Sequence, residues 1–167
     1  MGLDLSLTST GVSVNGETTS IRPTSRGTIR LIEIRDTLLA LLAEHQTQIV
    51  AVEGYSFASR NSHAHALGEL GGVIRVVLHE RGVRLVVVPP TVRAKFATGK
   101  GNAGKSEVVS AISAKTGIIW SGGDGDDRCD AWVLEQMLLL KLGENRYAWG
   151  KAQMDALGKV DWSGLNG

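Results

Sequence analysis

The sequence predicts an α/β protein with a mixed five-stranded sheet flanked by helices. Three observations carry that expectation. The chain opens on period-two hydrophobicity and reaches the hairpin signal Asn15-Gly16. Two short apolar runs, 49–53 and 84–88, read as strands buried on both faces. The segments between and after them carry apolar residues at helical spacing.

Taken in order, Met1, Leu3, Leu5 and Leu7 alternate with Asp4 and Ser6, which predicts a strand with Asp4 facing away from Leu3 and Leu5. Thr8-Ser9-Thr10-Gly11 reads as a turn, Val12-Ser13-Val14 as a second strand, and roughly 18–22 as a third. Thr28 is the expected N-cap of a helix reaching about Gln46, whose Leu31, Ile34, Leu38 and Leu41/Leu42 form an apolar stripe. Ile49-Val50-Ala51-Val52-Glu53 is a central strand ending in an acid, expected to run parallel to the first. Helix is predicted over 62–81, where Gly71-Gly72 each cost about 1 kcal/mol relative to alanine and so suggest close backbone packing or a helix–helix contact. A strand over 84–88 is stopped by Pro89-Pro90. A short helix over 91–97, a Gly-rich loop over 98–104, and helices over 105–116 and 127–142 complete the series. The order is that of the ribonuclease H-like layout. It places one domain over 1–142, followed by a polar, partly flexible C-terminal tail over 143–167 with a turn or two of helix near 151–157.

Composition narrows the function. With 43% AVILMFWYC and 21% charged residues the 167-residue chain can build a core, and disorder is not expected. No apolar run nears the ~18 residues that span a bilayer, so no membrane role is expected. The N-terminal residues lack the basic and apolar regions of a signal peptide, and Cys129 is the only cysteine, so a cytoplasmic location is expected. The net charge of +1 is uninformative, but its distribution is not: Arg93, Lys95, Lys100, Lys105 and Lys115 face a single acid, Glu107, while 124–130 holds four aspartates. Solvated loops explain such runs equally well.

The acids sit where acids are expensive. Asp4 lies mid-strand, Glu53 ends a buried strand, and Asp127 and Asp130 share one face at the start of a helix. Carboxylates beside a core require a partner, a hydrogen bond or a cation. An all-oxygen set of four suits Mg²⁺ or Mn²⁺. Two such ions, about 3.5–4 Å apart, activate a water and stabilise a leaving 3′ oxygen at phosphorus. Singly, each acid has a structural explanation: Asp127 favours a helix dipole, and Asp4 can be a hydrogen-bonded structural residue.

The segments Gly2-Leu3-Asp4-Leu5-Ser6-Leu7-Thr8-Ser9-Thr10-Gly11, Val52-Glu53-Gly54-Tyr55 and Asp127-Arg128-Cys129-Asp130-Ala131 resemble the three acidic motifs of RuvC-type Holliday junction resolvases. Glu69-Leu70-Gly71-Gly72-Val73 and Val88-Pro89-Pro90-Thr91-Val92-Arg93 resemble the family too, its phage members above all. The resemblance runs over about 1–142. It implies a homodimer that binds four-way junctions and other branched DNA in recombination and repair. Cleavage would be paired nicking with two Mg²⁺ ions, Mn²⁺ substituting, held by Asp4, Glu53, Asp127 and Asp130. It implies DNA contact and a catalytic charge at Lys105, DNA contact at Lys95, and helpers at Arg93 and Lys100, all directed at phosphate and salt-dependent. An aromatic expected three residues after the second acid is Ser56 here, so Tyr55 and Phe57 on either side are the stacking candidates.

Gly99-Lys100-Gly101-Asn102-Ala103-Gly104-Lys105-Ser106 satisfies the P-loop pattern, yet it follows Pro89-Pro90 and a helical segment rather than a strand, so no nucleotide cofactor is expected. His63 and His65 have no zinc-spaced companions, and Cys129, between two acids, is a poor nucleophile. Trp120, Trp132, Trp149 and Trp162 read as core and tail anchors. The alternatives left open are a flap or RNA-directed nuclease on the same fold, an idle branched-DNA binding module, and a P-loop NTPase.

Overall fold

The computed structural model describes residues 1–54, 62–144 and 146–166, with side chains of 62–64 outside that set. Five strands, β1 (Gly2–Asp4), β2 (Thr10–Val14), β3 (Glu17–Ile21), β4 (Ile49–Glu53) and β5 (Arg84–Val88), form one sheet in the order β3-β2-β1-β4-β5. β1, β2 and β3 are antiparallel neighbours, while β1–β4 and β4–β5 are parallel. The sheet is therefore mixed, as the strand pattern predicts. The helices are α1 (Gly27–Glu44), α2 (Ser62–Glu80), α3 (Pro90–Thr98), α4 (Lys105–Thr116), α5 (Gly125–Leu142) and α6 (Lys151–Leu157).

Alternation along the strands divides the core in two. Leu3, Val12, Val14, Val50 and Val52 face one side, where Ile34, Leu38 and Leu42 of α1 and Leu70, Ile74 and Leu78 of α2 cover them. Ala51, Val86 and Val88 face the other, covered by α3, α4, α5 and α6. On that second side β1 and β2 offer Gly2, Gly11 and Ser13 in place of bulky residues, and α5 settles directly on their backbone. A Cβ on Gly2 would lie 2.1 Å from the Ala131 carbonyl oxygen, and one on Gly11 2.1 Å from that of Asp127. Buried Glu135 fastens the contact by accepting hydrogen bonds from Ser13 Oγ at 2.6 Å and from Gly16 N at 3.1 Å. Gly16 belongs to the hairpin turn that Asn15-Gly16 predicts, with φ of +55° and +86° at the two residues.

Several element ends differ from expectation. β1 stops at Asp4, and Thr10 and Gly11 begin β2. Thr10 Oγ1 donates to the Ser6 carbonyl at 2.7 Å and accepts from Ser6 N at 3.1 Å, closing the intervening loop so that pairing starts at Asp4 and Gly11. Thr28 does not cap α1. The helix opens at Gly27 after Arg26, and Glu33 reaches back to accept from the Thr24 and Ser25 amides at 3.0 and 3.1 Å. α5 starts two residues early at Gly125, where a Cβ would meet the Trp120 carbonyl oxygen at 2.7 Å.

The segment after Gly143 joins the same core. Ala156, Leu157 and Val160 are buried with Phe96 and Ala97 of α3, and Gln153 Nε2 donates to the Phe96 carbonyl at 3.1 Å. Trp149 stacks on Phe96 with centroids 4.5 Å apart, and Trp132 is fully buried. A 3₁₀ turn, Ser163–Leu165, lies against the outer strand β5, where Arg84 Nη1 donates to the Leu165 carbonyl at 2.9 Å.

Adding one methyl at Gly11 tests the close approach. Gly11→Ala must displace the first turn of α5, so its unfolding free energy is expected to fall by about 1–3 kcal/mol in urea denaturation. Unchanged stability would mean that α5 moves away freely.

Candidate active site

Asp4 and Glu53 are the last residues of β1 and β4. The parallel register pairs Gly2 with Ala51 and Leu3 with Val52, so the two acids leave neighbouring strands side by side. Being in phase with Gly2 and Ala51, both face α5. From α5, Asp127 and Asp130 lie one turn apart on the face turned to those strand ends. Asp130 is 1% exposed. Asp4, Glu53 and Asp130 therefore gather at the carboxyl ends of the central strands, and Asp127 lies beside them on α5, joined to the group through Lys105.

Two bases enter the same space. Arg93, on α3, lends its Nε–H to Glu53 Oε2 and its Nη1–H to Asp130 Oδ1, so one guanidinium bridges a strand acid and a helix acid. It is only 7% exposed. Sequence reasoning set Arg93 among the surface contacts for DNA; the structure turns it inward instead. Its company accounts for the turn: Val92, Ala94, Phe96 and Ala97 around it are all buried, and a base buried among them needs acids within reach. Lys105, the first residue of α4, hydrogen-bonds Asp127 Oδ1 at 2.9 Å and pairs with Asp126 Oδ2 at 3.1 Å. Asp126 was not anticipated as part of this group. Lys95 is half-buried and Lys100 exposed, and neither pairs with the four acids among the described residues. Tyr55 and Phe57 lie outside the described residues. The P-loop-like stretch joins two helices, α3 and α4, rather than following a strand.

Negative charge outweighs positive here: among the described residues Asp4, Glu53, Asp126, Asp127 and Asp130 meet only Arg93 and Lys105. Burial, then the charges of Glu53 and Asp130, hold the Asp4 carboxyl well above the usual range. Burial pushes Asp130 up to about 7 despite Arg93, with Glu53 adding to the rise. Burial opposes the charge on Lys105, but hydrogen bonds to Asp127 and Asp126 prevail and raise its pKa. The Cys129 thiol is pushed up to about 12, chiefly by burial and then by Asp130, so it is no nucleophile at neutral pH.

The donors are all oxygens, and Asp130 Oδ2 is buried without a hydrogen-bond partner. Asp4 has no hydrogen-bond partner among the described residues. Such a set fits a hard divalent cation. As the side chains stand, no three His, Cys, Asp or Glu groups among the described residues close on one point to hold an ion. Arg93 and Lys105 take up oxygens that a cation would need.

A family model described as crossover junction endodeoxyribonuclease RuvC matches residues 1–119. The crossover junction endodeoxyribonuclease RuvC of Zymomonas mobilis is 31% identical over 139 residues, covering 76% of this chain and 83% of that one. That of Sorangium cellulosum is 34% identical over 85 residues, 51% of this chain and 48% of that one. The chain thus spans about half the length of the Sorangium relative. A structure of Thermus thermophilus RuvC in complex with a Holliday junction substrate superposes with a TM-score of 0.65 at 20% identity, covering 88% of this chain and 97% of that one. It shares the ribonuclease H-like fold.

The raised carboxyl pKa values predict an inverted pH dependence for the metal-free protein. An acid that binds protons more tightly folded than unfolded adds stability at low pH, and that stability is lost as pH rises through about 7 for Asp130. In EDTA the melting temperature should therefore fall between about pH 5 and pH 8, and Asp130→Asn should flatten the slope. A wild-type profile flat over that window would refute the assignment.

Proposed function

The chain belongs to the crossover junction endodeoxyribonuclease RuvC family, and from that we propose that it is a metal-dependent endonuclease resolving four-way DNA junctions by paired nicking. The observation that supports this reading is the gathering of Asp4, Glu53 and Asp130 at the carboxyl ends of β1 and β4, with Asp127 alongside through Lys105, from three elements far apart in sequence. We assign the nuclease domain to 1–142, with 143–167 as a C-terminal segment bracing α3. The four acids would hold two Mg²⁺ ions, with Mn²⁺ an effective substitute. Bound there, the ions supply an activated water and charge stabilisation for the leaving 3′ oxygen.

The chain's own groups do the rest. Lys105, at the mouth of the site and 55% exposed by its side chain, neutralises the scissile phosphate and holds Asp127 in place. Lys95 and exposed Lys100 extend the positive surface along the α3–α4 connection and contact the DNA backbone, so binding weakens steeply with salt. Tyr55 and Phe57, just beyond Glu53, are the proposed stacking residues at the crossover. The experiment is cleavage of a synthetic four-way junction, alongside a flap, a plain duplex and an RNA–DNA hybrid. Asp4→Asn and Asp127→Asn should each lose about a thousandfold or more in cutting, some 4 kcal/mol of transition-state stabilisation, while junction binding in Ca²⁺ persists. Full cutting by either variant refutes the site, and preference for the flap or hybrid refutes the junction specificity.

Paired nicking requires two copies. Their proposed seat is the outer face of α2, where Gly72 leaves open space and Val76 is 57% exposed. Val76→Glu should shift the protein from dimer to monomer in light scattering, without unfolding it. A variant that stays dimeric moves the interface elsewhere.

A further inference from the structure

Among the described residues Arg93 is the one base buried in the acid cluster, and its position conflicts with a cation's. Its guanidinium uses Glu53 Oε2 and Asp130 Oδ1 at the same time. The remaining Asp130 oxygen, Oδ2, is buried with no partner. A planar fork and a divalent ion cannot share the same lone pairs between the same two carboxylates. Resting on the metal-site reading above, we propose that Arg93 is a built-in counter-ion: it holds Glu53 and Asp130 together in the metal-free protein and is displaced when the divalent cation enters.

Three features support exchange over permanent pairing. First, the one guanidinium bridges Glu53 and buried Asp130, so without Arg93 the metal-free protein would leave two neighbouring carboxylates with no base between them. The guanidinium solves that problem only until a cation does. Second, the exchange needs no backbone motion. α3 is fixed from behind by Phe96, Ala97 and the Gln153 bond to the Phe96 carbonyl, so in the proposed exchange the guanidinium leaves by rotation about its own side-chain bonds while the helix stays. Third, Lys105 already offsets Asp127 and Asp126 at the open side of the site, which leaves Glu53 and Asp130 as the pair dependent on Arg93. Cation affinity is thereby set below what four free carboxylates would give, because each ion must compete with a tethered charge.

The test compares wild type, Arg93→Met and Arg93→Lys for Mn²⁺ binding by calorimetry and for melting temperature in EDTA. Arg93→Met should melt lower in EDTA yet bind Mn²⁺ about tenfold more tightly, since no resident charge must be displaced. Arg93→Lys keeps the charge but reaches only one carboxylate, so it should fall between. A readout on the wild type guards against a variant that does not fold. The Arg93 Nε–H resonance, shielded from solvent exchange in EDTA, should shift and begin to exchange as Mg²⁺ saturates the protein. Equal or weaker Mn²⁺ binding by folded Arg93→Met, or an Nε–H signal indifferent to Mg²⁺, overturns the exchange while leaving the metal site standing. No Mn²⁺ binding by the wild type overturns both.

Discussion

The structure depends on α5 lying directly on the backbone of β1 and β2. That contact exists because two strands that carry leucine and valine on one face carry glycine and serine on the other. A helix packed on side chains would ride farther out from the sheet. Here the missing Cβ atoms of Gly2 and Gly11 let the Ala131 and Asp127 carbonyls descend to the strands, and the Glu135 bonds to Ser13 and Gly16 hold them there. Asp127 and Asp130 reach the level of Asp4 and Glu53 only for that reason. Steric permission in one part of the interface sets the electrostatics of another.

Those electrostatics are strained by design of the cluster. Five acids and two bases share a partly enclosed space, and the carboxyls that are deepest hold their protons most tightly. The bases are not equivalent. Lys105 sits at the open edge as a mobile point charge, while Arg93 is buried and bidentate. The fold thus separates a charge available to substrate from a charge turned to the protein's own acids.

Much of this was legible in the sequence, and the residues show why. Strand and helix periods located β4, β5 and α4 to the residue, because each is bounded by glycine, proline or an abrupt polarity change, and placed a turn or two of helix near α6. Singly each acid had a structural explanation; the four stood out as a set, two at apolar strands and two on one helix face, in an order that resembles a known family. The inward turn of Arg93 was not legible: the same letter in a basic segment reads as a surface contact until the burial of Val92, Phe96 and Ala97 around it is known. Asp126 was hidden for a similar reason, since its partner Lys105 lies about twenty residues away and pairs through tertiary packing. The tail's contribution to the core was suggested only by its tryptophans. Its anchoring rests on small groups, Ala156 against α3 and Gly164 under the Leu85 carbonyl, which carry no periodic signal.

The bond between Ser13 and Glu135 joins residues 122 positions apart. β1, β2 and β4 all precede α5 in the chain, so the strands can pair before the helix that completes the cluster has been made. Contacts of such long sequence separation form late. A nascent or truncated chain lacking α5 therefore presents two strand acids with nothing opposite them. Order of synthesis thus separates the two halves of the cluster in time, and the acids come together only once α5 has been made and has settled on the strands.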